Sequence, residues 1–113
     1  MISKKTAEHY IWGADCDGWH LVKNPDISVI HERVPPGASE VRHYHNKAWQ
    51  FFFILIGTAT LEIAGERETL TPTEGAEVPP GTPHQLLNLS DQEIEFLVIS
   101  APPSQGDRLP VSV

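Results

Sequence analysis

The stretch Gly37-Ala38-Ser39-Glu40-Val41-Arg42-His43-Tyr44-His45-Asn46-Lys47-Ala48-Trp49-Gln50 runs on through Phe51-Phe52-Phe53-Ile54-Leu55-Ile56 to Gly57. His43 and His45 stand two apart in a segment of strand character. Side chains at i and i+2 of a strand share a face, so the two imidazoles project together, close enough to share one ion. Gln50 follows five residues on, past a short turn. Pairing with an antiparallel neighbour would bring it back beside the histidines. The run that begins there is apolar on both faces, with Phe51, Phe53 and Leu55 on one and Phe52, Ile54 and Ile56 beside Gln50 on the other. A strand apolar on both faces must be buried on both. One face can line a barrel. The other needs a cover, which a second copy of the chain is expected to supply, two-fold homo-oligomers being the commonest assemblies. Cover by the N-terminal arm, with Trp12 and Trp19, is the alternative.

The rest of the chain has the same texture. Segments 27–34, 41–45, 59–63, 66–70, 76–78, 84–89 and 93–100 are short and rich in β-branched or apolar residues, and 19–22 adds a further candidate at the front. No segment holds a helical period over a dozen residues. Eight glycines and ten prolines punctuate these runs, as turns do in an all-β chain. Ala64-Gly65 reads as a tight hairpin turn. Eight or nine antiparallel strands joined by tight turns pack most simply as a sandwich or barrel. Residues 101–113 read as an extended tail lying on the surface. The whole chain, 1–113, is expected to form a single domain, with an N-terminal arm at 1–22.

A third histidine joins the pair from a distance. His84 lies just behind the turn Pro79-Pro80-Gly81, where a strand begins. Three imidazoles and an amide oxygen make a nitrogen-rich site suited to one divalent first-row ion, such as Ni, Zn, Mn, Fe or Cu.

The spacing of these residues resembles the two motifs of the cupin superfamily. The first runs from glycine through His-x-His and a carboxylate to a second glycine. Here it occupies 37–57, as Gly37, His43-Tyr44-His45, Gln50 and Gly57. The second occupies 73–88, as Thr73, Pro79-Pro80-Gly81, His84 and Asn88. Thr73 stands where glycine is usual, and Gly75 is expected to take over the turn. The resemblance implies an antiparallel jelly-roll barrel, the double-stranded β-helix, and a metal held by His43, His45 and His84. It places Gln50 at the carboxylate ligand position. Some small metal-binding cupins, uronate-converting enzymes among them, carry glutamine there.

Glutamate would bring the net charge of a divalent site down to about +1, whereas glutamine leaves it at about +2. A more positive site polarises substrate oxygens and lowers the pKa of bound water further. The expectation is Lewis-acid chemistry on a small oxygen-rich molecule such as a sugar acid: isomerisation, ring opening or hydration. A mononuclear metal-dependent dioxygenase is the alternative enzyme, and a non-catalytic small-ligand-binding cupin the alternative without chemistry.

Other chemistry-bearing residues are few. Glu32 and Arg33 are adjacent on one strand, so only one can face inward. Asp107 and Arg108 sit in a tail that can fold over the barrel mouth. His9, His20 and His31 read as structural or surface residues, and Gln85 faces away from His84. The net charge of -7 argues against nucleic acid and against docking on an anionic membrane. The longest apolar run, 51–56, is far too short to span a bilayer. One cysteine, Cys16, allows no internal disulfide, and its flanking carboxylates Asp15 and Asp17 blunt its reactivity. With no apolar stretch behind Lys4 and Lys5, the expectation is a cytoplasmic protein.

Overall fold

Alternation along the strands sets the architecture. In Trp49–Ile56, Gln50, Phe52 and Ile54 are buried while their neighbours are partly exposed, and Ile94–Ala101 alternates in the same sense. These inward side chains meet from two directions, so two sheets close on one core. The computed structural model describes residues 1–111 and places eleven strands and no helix among them.

The strands in chain order are β1 Glu8–Trp12, β2 Cys16–Lys23, β3 Ser28–Val34, β4 His43–His45, β5 Trp49–Ile56, β6 Ala59–Ile63, β7 Glu66–Leu70, β8 Gly75–Val78, β9 His84–Leu87, β10 Ile94–Ala101 and β11 Arg108–Pro110. One sheet has the order β1-β2-β3-β10-β5-β8 and the other β11-β4-β9-β6-β7. The pairings are antiparallel. The core lies between the sheets and is filled by Val34, Phe52, Ile54, Leu61, Leu86, Ile94 and Phe96 among others. Each large apolar side chain fully buried there contributes about 1.5–3 kcal/mol. Among the described residues no helix is long and apolar enough to cross a membrane.

Two turn positions explain motif residues. A Cβ on Gly57 would lie 2.6 Å from the Glu93 carbonyl, and the backbone there has φ +83°, so only glycine fits. Asn88 is fully buried and ties its loop by donating to the carbonyls of Val34 and Gln92.

Several expectations are corrected. Thr73 itself takes the left-handed turn conformation, φ +71°. Gly75 serves close packing instead: a Cβ there would lie 2.6 Å from both the Phe51 ring and the Phe52 carbonyl. The N-terminal arm supplies a strand, β1, as well as a longer β2 than the sequence suggested. Both strands extend the sheet beyond β3, on the side away from β5, while Lys4, ahead of β1, reaches Glu95 on β10, the neighbour of β5. On the outward face of β5 Trp49, Phe51 and Phe53 stack in a row, with ring centroids 6.4 and 6.2 Å apart. The tail is not merely surface chain, because β11 pairs with β4 and completes the second sheet.

Candidate metal centre

Register brings the histidines together. His43 stands opposite His84 across the β4–β9 pair, and their ring centroids are 4.4 Å apart. His45, two residues along β4, brings its ring within 4.8 Å of His43 and 5.6 Å of His84. The ligand-capable nitrogens of all three lie within 4.8 Å of one another. Gln50 joins from the other sheet: it begins β5, sits opposite Ser100 on β10, and donates its amide N–H to Ser100 Oγ at 3.0 Å. The sequence reading had β4 and β5 as neighbours in one sheet. They face each other across the barrel instead, and the loop 46–48 makes the crossing.

Each imidazole is oriented by the main chain. His43 Nδ1 is 2.6 Å from the Val41 carbonyl, His45 Nδ1 3.2 Å from the Asp107 carbonyl and His84 Nδ1 2.9 Å from the Thr82 carbonyl. A carbonyl can only accept, so Nδ1 carries the proton and Nε2 keeps its lone pair. Burial holds the rings neutral. It pushes the His43 pKa down to about 3 and lowers those of His45 and His84. His45 Nε2, His84 Nε2 and Gln50 Oε1 are buried without a hydrogen-bond partner in the protein. Neutral imidazoles with lone pairs free, converging at this spacing, fit a borderline divalent ion. The site is histidine-rich and capable of binding a metal ion.

The tail props this arrangement. Asp107 accepts hydrogen bonds from the backbone N–H groups of Asn46, Lys47 and Ala48 at 3.2, 2.9 and 3.0 Å. Those bonds, that from Lys47 foremost, lower its pKa. Its own carbonyl orients His45.

His43, His45 and Gln50 open on a cavity of about 170 Å³, shared with Tyr10, Glu32, Glu40 and Arg108. Glu32 is therefore the inward member of its pair. Arg33 turns outward to Asp17 and Glu93, at 2.6 and 3.0 Å. Burial, and next the charge of Glu40, raise the Glu32 pKa to about 8. Burial raises that of Glu40 to about 7. Tyr10 donates to Glu32 at 3.2 Å. The sequence reading missed Glu40 and Tyr10. Glu40 lies in the motif's spacer, where the pattern specifies nothing, and Tyr10 lies in the unassigned first strand.

A larger cavity of about 910 Å³ adjoins, reached past His45 and Arg108 and lined also by His20, Lys23 and Ser104. His9 and His31 are structural as expected, each 2.7 Å from a carboxylate, Asp17 and Glu95. His20 lines the larger cavity, its ring 5.0 Å from that of Tyr10. Gln85 does face away from the site and donates to the Glu40 carbonyl. Cys16 is fully buried, and burial is the main reason its pKa is raised.

Known proteins share this plan. The sugar phosphate isomerase of Silicibacter pomeroyi superposes with a TM-score of 0.79 at 22% identity, over 91% of this chain and 76% of that one. The polyketide cyclase RemF of Streptomyces resistomycificus superposes with a TM-score of 0.86 at 19% identity, over 100% of this chain and 85% of that one. At such identities the likeness establishes the fold. In sequence, the oxidoreductase macE of Penicillium terrestre is 27% identical over 94 residues, 80% of this chain and 36% of that protein. The chain thus spans about a third of the length of the fungal oxidoreductases it matches. The family model described as the cupin domain matches residues 30–100, well over half of the chain. With the two-sheet barrel and the motif residues at their places, the chain belongs to the cupin family.

Proposed function

We propose that this cupin is an enzyme that holds one divalent ion on His43, His45, His84 and Gln50 and acts by Lewis-acid chemistry on a small, oxygen-rich anion. The observation that carries the reading is the set of unclaimed donor atoms, His45 Nε2, His84 Nε2 and Gln50 Oε1, buried about one point with the ring protons committed elsewhere. All four side chains are neutral donors, so a bound divalent ion would keep a net charge of about +2 and polarise a substrate oxygen strongly.

The chain's own residues supply the rest. The cavity wall at Phe52, Ile30 and Val98 is apolar and excludes water, while Arg108 stands at its junction with the larger cavity. Among the described residues Arg108 has no carboxylate within ion-pair distance, and its guanidinium reaches the Val41 carbonyl at 3.4 Å. It is placed to hold a substrate carboxylate or phosphate, whose binding orients the reacting carbon toward the histidines. Likeness in fold to a sugar phosphate isomerase and a cyclase supports non-redox chemistry. The test is elemental analysis of tag-free protein, followed by turnover of sugar acids and sugar phosphates under nitrogen. Product formed without oxygen is expected.

An oxygenase is the second reading, favoured by the two fungal relatives named as oxidoreductases. Oxygen uptake that requires the bound metal would select it over the first.

A further inference from the structure

We propose that Glu32 is the proton-transfer residue of this centre, taking a proton from a ligand bound beside His43, His45 and Gln50 and giving it back. The inference rests on the metal-centre reading above and adds the group that would handle protons there.

Register makes the case first. Tyr10 stands opposite Gly18 across β1–β2, and Gly18 stands opposite Glu32 across β2–β3. The three form one row. A Cβ on Gly18 would collide with the Tyr10 ring. The glycine therefore leaves a gap over which the phenol lies, and its O–H donates to Glu32 Oε2 at 3.2 Å. This row fixes the Glu32 carboxyl at the wall of the cavity that His43, His45 and Gln50 also line.

A second observation points independently to a ligand in that cavity. His45 and Gln50 are more than nine-tenths buried, and His45 Nε2 and Gln50 Oε1 have no partner in the protein. The donor atoms that cluster within 4.8 Å are those of the three histidines, which leaves Glu32 beside the centre rather than in it.

The groups facing Glu32 are Tyr10 from β1, Cys16 from the start of β2, Glu40 from the segment before β4, Arg108 from β11, and His43 and His45 across the cavity. From β5 and β10 the cavity receives Phe52 and Val98, which carry no charge. Burial and the Glu40 charge favour the protonated acid, while the Tyr10 hydrogen bond and Arg108 favour the carboxylate. The balance brings its titration near neutrality, where a carboxyl group both accepts and donates. The step balances without any oxidant. An O–H or C–H bond of the ligand breaks, its electron pair stays on the ligand, and the proton forms an O–H bond on Glu32. The reverse returns it.

The test uses zinc-loaded protein and acetohydroxamic acid, which binds metals as its anion. Calorimetry in buffers of different ionisation enthalpy counts protons released on binding, at about pH 8.5, where Glu32 is ionised in the free protein. Wild type is expected to keep the proton on Glu32 and release almost none. Glu32→Gln, with unchanged zinc content, is expected to release about one per site. Equal counts in the two proteins overturn the proposal, as does zinc-loaded wild type that binds no hydroxamate. Infrared titration of metal-free protein gives a readout that needs no ligand. Between about pH 7 and 8, above the range in which Glu40 also holds its proton, a protonated carboxyl band should persist in wild type, be missing in Glu32→Gln, and persist to higher pH in Tyr10→Phe. Its absence from wild type in that window overturns the proposal equally. Failure of wild type to take up zinc would instead refute the metal reading while the infrared result stood.

Discussion

Replacing His84 by alanine separates metal binding from packing. The ring is fully buried, 4.4 Å from that of His43 and 6.0 Å from that of Phe52. Its removal leaves a hole and lowers the stability of the metal-free protein by about 2–4 kcal/mol. That loss is common to samples with and without metal. The informative quantity is the gain on adding the ion. At an ion concentration about 100 times the wild-type Kd, binding to the native state alone adds about 2.7 kcal/mol. For a chain of this length that raises Tm by about 10–15 °C. Residues that merely support a metal ligand cost about 10–100-fold in affinity when removed, so losing an imidazole ligand should cost at least about 100-fold. At the same ion concentration His84→Ala should then gain no more than about 0.4 kcal/mol, or about 2 °C. Calorimetric melting of chelator-stripped protein, with zinc or nickel titrated in, measures both gains, and His84→Gln serves if the alanine variant is poorly folded. Equal gains in wild type and variant would refute the assignment of His84 as a ligand.

Three further outcomes are expected. Gln50→Glu should tighten metal binding at least about tenfold by placing a negative charge at the ion, and should slow turnover if the chemistry is Lewis-acidic; titration calorimetry and rate measurements on one preparation check both, and faster turnover would favour the oxygenase. Glu32 has a folded pKa raised from 4.5 to about 8, so its contribution to stability is fully present below about pH 4.5 and is lost as pH rises toward 8. Metal-free Glu32→Gln should therefore lack a loss of a few kcal/mol that wild type shows over that window, read from denaturant midpoints at a series of pH values. The row of Trp49, Phe51 and Phe53 should be covered by a second copy of the chain: light scattering should give a dimer at micromolar concentration and Phe51→Asp should give a monomer, whereas a monomeric wild type would remove that expectation.

The His43–His45 pair was legible from a short-range rule, and His84 was joined to it through the resemblance to the cupin motifs. A period of two puts His43 and His45 on one face, and the spacing behind Pro79-Pro80-Gly81 starts a strand at His84. The face of β5 was legible for the same reason. Gln50 was found but put in the wrong sheet, because its loop is held by Asp107, about 60 residues away. No local pattern encodes that tie. β1 escaped notice because Glu-His-Tyr-Ile-Trp does not alternate and its Ile11 is exposed. Thr73 in a left-handed turn breaks the usual side-chain preference, so the nearby glycine looked the better candidate. Glu40 gained its meaning only when residues 37–40 ran alongside β9, where its carboxyl accepts the Leu86 N–H.

The tail that props His45 also carries Arg108 and, through Ser104, walls both cavities. On the proposed function, one run of five residues would govern both how firmly an ion is kept and what shape and charge of molecule can reach it. These two properties cannot drift independently. A lengthened or shortened tail that admitted a new substrate would alter metal retention in the same event, so relatives with different tails should differ in preferred ion as well as in substrate. The same linkage bears on handling: a purification tag fused directly behind β11 would disturb the centre.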